Sequence, residues 1–271
     1  LNMIHIKKIN FWLYHPVLHT FLLPVAQTLF GAAYAARFTS FQFIPYLVIY
    51  AFLLINKLLE NQLTKQASSM DNFFPKLNLF LEALNVLCLL YFYLHGSILM
   101  IIFPLIYTLV VHFQYMFLAY DMALLALSIL AFFKGVVIQA IVFYASLTFL
   151  PSALLLWSLP MFFPLFLLEA NRWEQMVTTE SPALTKHFPS SVSLLKTYAS
   201  PRNRITLLLS LLIGIGVLSR QAGWWALFLL ISLVSFGSRS SKRSNKMAFH
   251  LFLICFSTLY TVIWLVHYIP R

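Results

Sequence analysis

The residues best suited to chemistry in this chain sit in two short polar stretches. One runs from Glu169 to Lys186, reads EANRWEQMVTTESPALTK, and holds three of the chain's seven carboxylates, Glu169, Glu174 and Glu180. The other is Asn56-Lys57-Leu58-Leu59-Glu60-Asn61. Each follows a long apolar run, so each reads as a polar mouth at the end of an apolar helix. An ionisable group at such a place is a functional-site candidate, because hydrocarbon surroundings make it costly to keep without a role.

The elements that must position these mouths are apolar throughout. Hydrophobic residues make up 61% of the chain and charged residues 9%, against about 25% charged in soluble domains. This composition excludes a soluble domain and defines a polytopic, all-α membrane helix bundle. Apolar spans fall at about 16–37, 41–59, 77–94, 97–113, 117–148, 152–169, 203–219, 223–238 and 247–269, nine in all. The fifth is too long for one straight span across a ~30 Å core at ~1.5 Å per residue, so it must tilt or break near Lys134-Gly135. Residues 1–15, with Lys7 and Lys8 beside Phe11, Trp12 and Tyr14, suit a helix lying in the membrane interface. The polar insertions, at about 60–76, 170–202 and 237–246, are too short for a soluble domain, which leaves residues 1–271 as a single transmembrane domain. The first apolar run leads straight into another, so no cleavable signal peptide is expected.

The net charge of +11 follows membrane topology rather than nucleic-acid binding, since the basic residues occupy loops between spans. With the N-terminus in the cytoplasm, only Arg37, Arg220 and Arg271 lie outside and Lys134 lies within a span, leaving 14 of the 18 basic residues cytoplasmic. Both polar mouths then face the cytoplasm.

At this point the pattern resembles the UbiA-type intramembrane prenyltransferases, especially the menaquinone branch. The likeness rests on His15-Pro16 with Leu23-Pro24-Val25-Ala26 and Gly31-Ala32-Ala33, and on Phe132-Phe133-Lys134-Gly135-Val136-Val137 followed by Phe143-Tyr144. It extends to the spacing through Leu159-Pro160 to Asn171-Arg172. The resemblance implies a UbiA-like bundle of nine helices, long cytoplasmic loops after the second and sixth, and a bacterial-type inner (cytoplasmic) membrane. It also implies Mg²⁺-dependent transfer of a polyprenyl chain from its diphosphate to an aromatic acceptor such as a quinone precursor.

That chemistry needs Asp-rich motifs, because magnesium requires hard oxygen ligands to bridge a diphosphate to the protein. Here the first motif, Asn-Asp-x-x-Asp, is represented by Asn56, Lys57 and Glu60, and its further Asp falls near Thr64 or Lys65. The second, Arg-Asp-x-x-x-Asp, falls on Arg172, Trp173 and Val177, or after a one-residue slide on Glu174 and Thr178. The following Gly-Lys-x-Thr-Leu is replaced by Ser181-Pro182-Ala183-Leu184-Thr185, with Lys186 displaced. Lys57 puts a cation where a magnesium ligand belongs; it can hold a phosphate as a point charge but cannot replace the ligand.

Two functions follow. In the first, an enzyme, Glu60, Glu169 and Glu174 converge on Mg²⁺ while Arg172, Lys186 or Lys57 holds the diphosphate. In the second, catalysis is lost or weak. Asn56, Lys57, Glu60, Glu169, Asn171, Arg172, Glu174 and Lys186 then form a vestigial site, and the old cavity holds an isoprenoid, quinone or pigment or is filled. The chain then serves as a subunit of a membrane complex, packing through Phe149, Phe162, Phe163 and Phe166 against lipids and other membrane-protein subunits. The poor ligand set favours the second.

The remaining polar residues carry plainer expectations. Asn78, Glu82 and Asn85 share one face of the third span and suit an interhelical hydrogen-bond cluster with Glu82 protonated by burial. Lys134 is open to pairing with Glu82 or Asp121. Tyr107, His112, Tyr115 and Tyr120 suit interface anchors. His95, His187, His250 and His267 lack metal-ligand spacing, and Cys88 and Cys255 read as small core residues. Gly214-x-Gly216 suits a close helix contact.

Overall fold

A computed structural model of the chain describes residues 16–67, 75–179, 191, 193–236 and 242–267. Among them all regular structure is helical: α1 (Pro16–Ala35), α2 (Phe43–Ala67), α3 (Pro75–His95), α4 (Ile98–Ala119), α5 (Ala123–Phe132), α6 (Ile138–Leu147), α7 (Ser152–Ser158), α8 (Phe162–Thr179), α9 (Ala199–Ala222) and α10 (Lys242–His267). A π-helical turn, Phe133–Val137, joins α5 to α6, and a 3-10 turn, Leu159–Met161, joins α7 to α8. A second π segment, Ser193–Thr197, precedes α9, and a 3-10 helix, Gly223–Phe236, follows it.

Six helical stretches are long and apolar enough to cross a membrane, which makes this an integral membrane protein in kind. Its outer surface agrees: Leu79, Ile98, Leu212, Val234 and Val266 are 66–73% exposed. A soluble monomer rarely leaves so much contiguous apolar surface in water.

α1 and α10 run side by side in the same direction. His19 meets His250 edge-on at 5.6 Å, Ser257 donates to the Ala26 carbonyl at 2.6 Å, and Phe30 packs on Tyr260 and Trp264. At the far end Arg37 donates to the Leu265 carbonyl. The 3-10 helix runs antiparallel to α10, with Trp225 near His267 at one end and Phe236 against Phe249 at the other. Gly223 makes that antiparallel return possible: its φ of 55° and ψ of −131° fall where a side chain is strained.

The long fifth span is interrupted at the expected place. The π turn admits one extra residue per hydrogen-bonded ring, and it contains Lys134 and Gly135. Gly135 fits because a Cβ there would lie 3.0 Å from the Met161 backbone. The stretch is also shorter than expected, starting at Ala123 and not at 117, because α4 continues to Ala119.

Other expectations are corrected. α2 continues to Ala67, so Glu60 lies inside a helix and not at the start of a loop. α8 likewise runs to Thr179 and carries Glu169, Asn171, Arg172 and Glu174 along its length. Helices here outlast the apolar run, since a polar sequence can stay helical beyond the hydrocarbon. Phe166 is buried, and Phe162 packs partly buried against the core; of the four phenylalanines only Phe149 is well exposed. Tyr107 is a core residue, not an interface anchor, whereas Tyr120 is exposed. Gly214 packs closely on Phe256 and Leu229, but Gly216 faces open space. Cys88 and Cys255 are free and partly buried. The expected interfacial segment 1–15, Lys186 and His187, and the side chain of Tyr115 lie outside the described residues.

Candidate functional site: a buried ring of charge

Four elements bring the site together. α2 supplies Asn56, Lys57 and Glu60, within little more than one turn of each other. α8 supplies Glu169 and Arg172, three residues apart and so on one face. α4 supplies Gln114, and the π turn supplies Lys134. Glu60, Glu169, Lys134 and Gln114 are all at most 1% exposed.

Their charges alternate around a closed ring. The Lys134 ammonium bonds Glu60 Oε1 and, at 2.7 Å, Glu169 Oε1. The Arg172 guanidinium bonds Glu60 Oε2 through one terminal nitrogen and lies 3.1 Å from Glu169 Oε2 through the other. That second nitrogen also donates to Gln114 Oε1 at 2.6 Å. Lys57 adds a fifth member, its Nζ 3.3 Å from Glu60 Oε2. Ions this deep are tolerable only when paired and hydrogen-bonded, because each loses its hydration. Two carboxylates balance two cations within the ring, and Lys57 leaves one surplus positive charge.

Lys134 therefore pairs with neither Glu82 nor Asp121, the two partners left open by the sequence. Asp121 instead accepts from the Ser191 backbone N–H at 2.7 Å. Glu82 lies 2.6 Å from His112 Nε2 and keeps about a third of its side chain exposed, so it lacks the deep burial expected of it. His112 Nδ1 sits 2.7 Å from the Thr108 carbonyl, which accepts only. Asn56 donates to the Phe52 carbonyl at 2.9 Å and to Asn85 Oδ1 at 3.1 Å, and Asn85 donates to Thr108 Oγ1 at 3.4 Å. Asn85 and Glu82 thus form part of the expected interhelical hydrogen-bond cluster beside the ring, but Asn78, the third residue of that face, has a buried Oδ1 with no hydrogen-bond partner among the described residues.

Glu60 and Glu169 share one lysine and one arginine, but Glu174 stands apart, bonded by Arg202 at 2.8 Å. Among the described residues no group of three or more His, Cys, Asp or Glu side chains is placed to hold a metal ion. Magnesium fits this arrangement poorly: both Glu60 oxygens and Glu169 Oε1 already accept from N–H donors, and Glu169 Oε2, which accepts no hydrogen bond, lies 3.1 Å from the Arg172 cation, where the ion would need lone pairs.

A cavity of about 290 Å³ opens against the ring, lined in part by His19, Lys57, Asn61, Asn171, Arg172 and His250. Asn171, one of the expected site residues, belongs to this wall and has no hydrogen bond to the ring among the described residues. Sequence reasoning missed Lys134 and Gln114 as members of the site. The available signal was the charge inventory itself, in which Lys134 was a lone cation deep in a span with buried carboxylates to compensate.

No family model matches this chain, and neither a curated protein nor a solved structure matches it.

Proposed function

We propose that the chain is a UbiA-like membrane bundle of nine spans that binds a lipid, quinone or pigment, or packs as a subunit of a membrane complex, without Mg²⁺-dependent prenyl transfer. One observation carries this reading: the two glutamates nearest the expected metal positions are each held by both Lys134 and Arg172. A side chain already bonded this way supplies structure in place of metal affinity, and the lysine and arginine occupy the space a diphosphate–metal cluster would need.

Three features support nine spans over six. α1 keeps company with α10 from His19 to Arg37, about 27 Å at helical rise. α4 matches α3 in length and crosses it antiparallel, through Glu82–His112 and Asn85–Thr108. The stretch Ala199–Phe236 turns back at Gly223, and its 14-residue 3-10 limb covers about 28 Å at ~2.0 Å per residue, enough for a hydrocarbon core. The excess of basic residues in the segments assigned to one side supports a cytoplasmic N-terminus, and the UbiA resemblance supports a bacterial-type inner membrane.

The decisive test is purified protein with Mg²⁺, a polyprenyl diphosphate and a naphthoate or benzoate acceptor. No pyrophosphate release above background is expected. Turnover that vanishes in Glu60→Gln overturns the reading and restores a prenyltransferase.

A further inference from the structure

A second cavity, about 900 Å³ and separate from the ring, lies where the π segment Ser193–Thr197, the first turns of α9, the end of the 3-10 helix and the start of α10 meet. Its lining changes character with depth. Lys196, Ser200, Asn203 and Arg204 form the polar end, and Leu207, Leu233, Phe236 and Phe249 form the apolar end. On α9 the sequence of turns is Ser200, then Asn203 and Arg204, then Leu207. These are i, i+3, i+4 and i+7 on one face, so polarity falls away over about 10 Å of helix. Phe236 and Phe249 meet edge-on at 5.4 Å at the apolar end.

The charge at the mouth is positive. Glu174 also borders the cavity, but Arg202 already bonds it at 2.8 Å. Arg202 in turn donates to Asn203 Oδ1 at 3.0 Å, which leaves the Asn203 amide nitrogen to donate elsewhere. Lys196 and Arg204 are exposed, and neither has a hydrogen-bond or ion-pair partner among the described residues.

We infer that this cavity binds one anionic phospholipid, its phosphate between Lys196 and Arg204 and one acyl chain along Leu207, Leu233 and Phe236. A zwitterionic lipid brings its own cation to the same place and gains little. A soluble phosphate finds the two cations but leaves the apolar wall uncovered. Basic pockets between membrane helices at the aqueous interface recognise anionic headgroups on these terms. The site stands whether or not the bundle is UbiA-like, since it uses none of the ring residues.

The test is native mass spectrometry of the delipidated full chain, titrated with dioleoyl phosphatidylglycerol, dioleoyl phosphatidylcholine or glycerol phosphate. One phosphatidylglycerol adduct should form in clear preference to the other two. Each of Lys196→Gln and Arg204→Gln should weaken it roughly fivefold and the pair about 25-fold, from ~1 kcal/mol per basic residue. Arg220→Gln, an exposed cation at the other end of α9, should change nothing, and filling the cavity by Leu207→Trp should also abolish the adduct. Equal binding of the two lipids, equal binding of glycerol phosphate, an unaffected double variant, or an equal loss in Arg220→Gln would each overturn the assignment.

Discussion

Lys134 and Glu169 meet 2.7 Å apart in the interior of the bundle, with side chains 2% and 0% exposed. The lysine comes from a π turn and the glutamate from the middle of α8, 35 positions later. Because Lys134 also bonds Glu60, one ammonium compensates carboxylates from two different helices.

Removing that ammonium should therefore be costly. Lys134→Met leaves Glu60 and Glu169 undercompensated and should destabilise the protein by about 3–5 kcal/mol. Adding Glu169→Gln to the same chain should recover part of the loss, giving a coupling of about 1–3 kcal/mol. Chemical unfolding of both single variants and the double variant in detergent measures it; strictly additive losses would count against the ring.

The two glutamates should not be equivalent. Glu60 faces Lys57, Lys134 and Arg172, whereas Glu169 faces only the last two. Glu60→Gln should lower Tm more than Glu169→Gln, and Lys57→Gln, which loses a single 3.3 Å pair at the edge of the ring, should lower it least. A different order in thermal scans would show that the pairs do not share the load as the distances imply.

Topology is open to chemical labelling. In a background lacking Cys88 and Cys255, single cysteines from Thr64→Cys, Thr179→Cys and Ser240→Cys should be shielded from an impermeant thiol reagent in intact cells. Gln221→Cys, next to the Gly223 turn, should react. Labelling of Thr179→Cys from outside reverses the orientation.

Gly223 should not tolerate a side chain. With φ at 55° and ψ at −131°, Gly223→Val costs about 1–3 kcal/mol in backbone strain alone. Nothing lies within 4 Å of a Cβ built there, so a drop in Tm reports backbone conformation and not a clash. An unchanged Tm would mean that the chain reverses elsewhere.

The sequence makes most of the helices legible, because hydropathy records directly which residues avoid water. Helix ends are less legible: α2 and α8 run on as polar helix to Ala67 and Thr179, and hydropathy marks the edge of the hydrocarbon and not the last hydrogen-bonded turn. Length alone says that the fifth span must tilt or break, and the Lys134-Gly135 pair marks where the π turn falls. The partners of Lys134 were not, since its contacts lie 74 and 35 positions away and no local pattern encodes them. The same holds for Phe166, whose burial depends on which face of α8 turns toward α5.

The ring also sets an order on how the chain can be made. Of the ring residues, Lys57 and Glu60 enter the membrane first, Lys134 more than seventy residues later, and Glu169 with Arg172 later still. A nascent chain stopped after α6 holds Glu60 and Lys134 but lacks the second carboxylate and the guanidinium that close the circuit. Until α8 arrives, Lys57 and Lys134 face one carboxylate in a half-built bundle, an excess of positive charge that the translocon, lipid headgroups or a chaperone has to shelter. Chains truncated before residue 169 should accordingly be degraded quickly, whatever the hydropathy of the spans they contain.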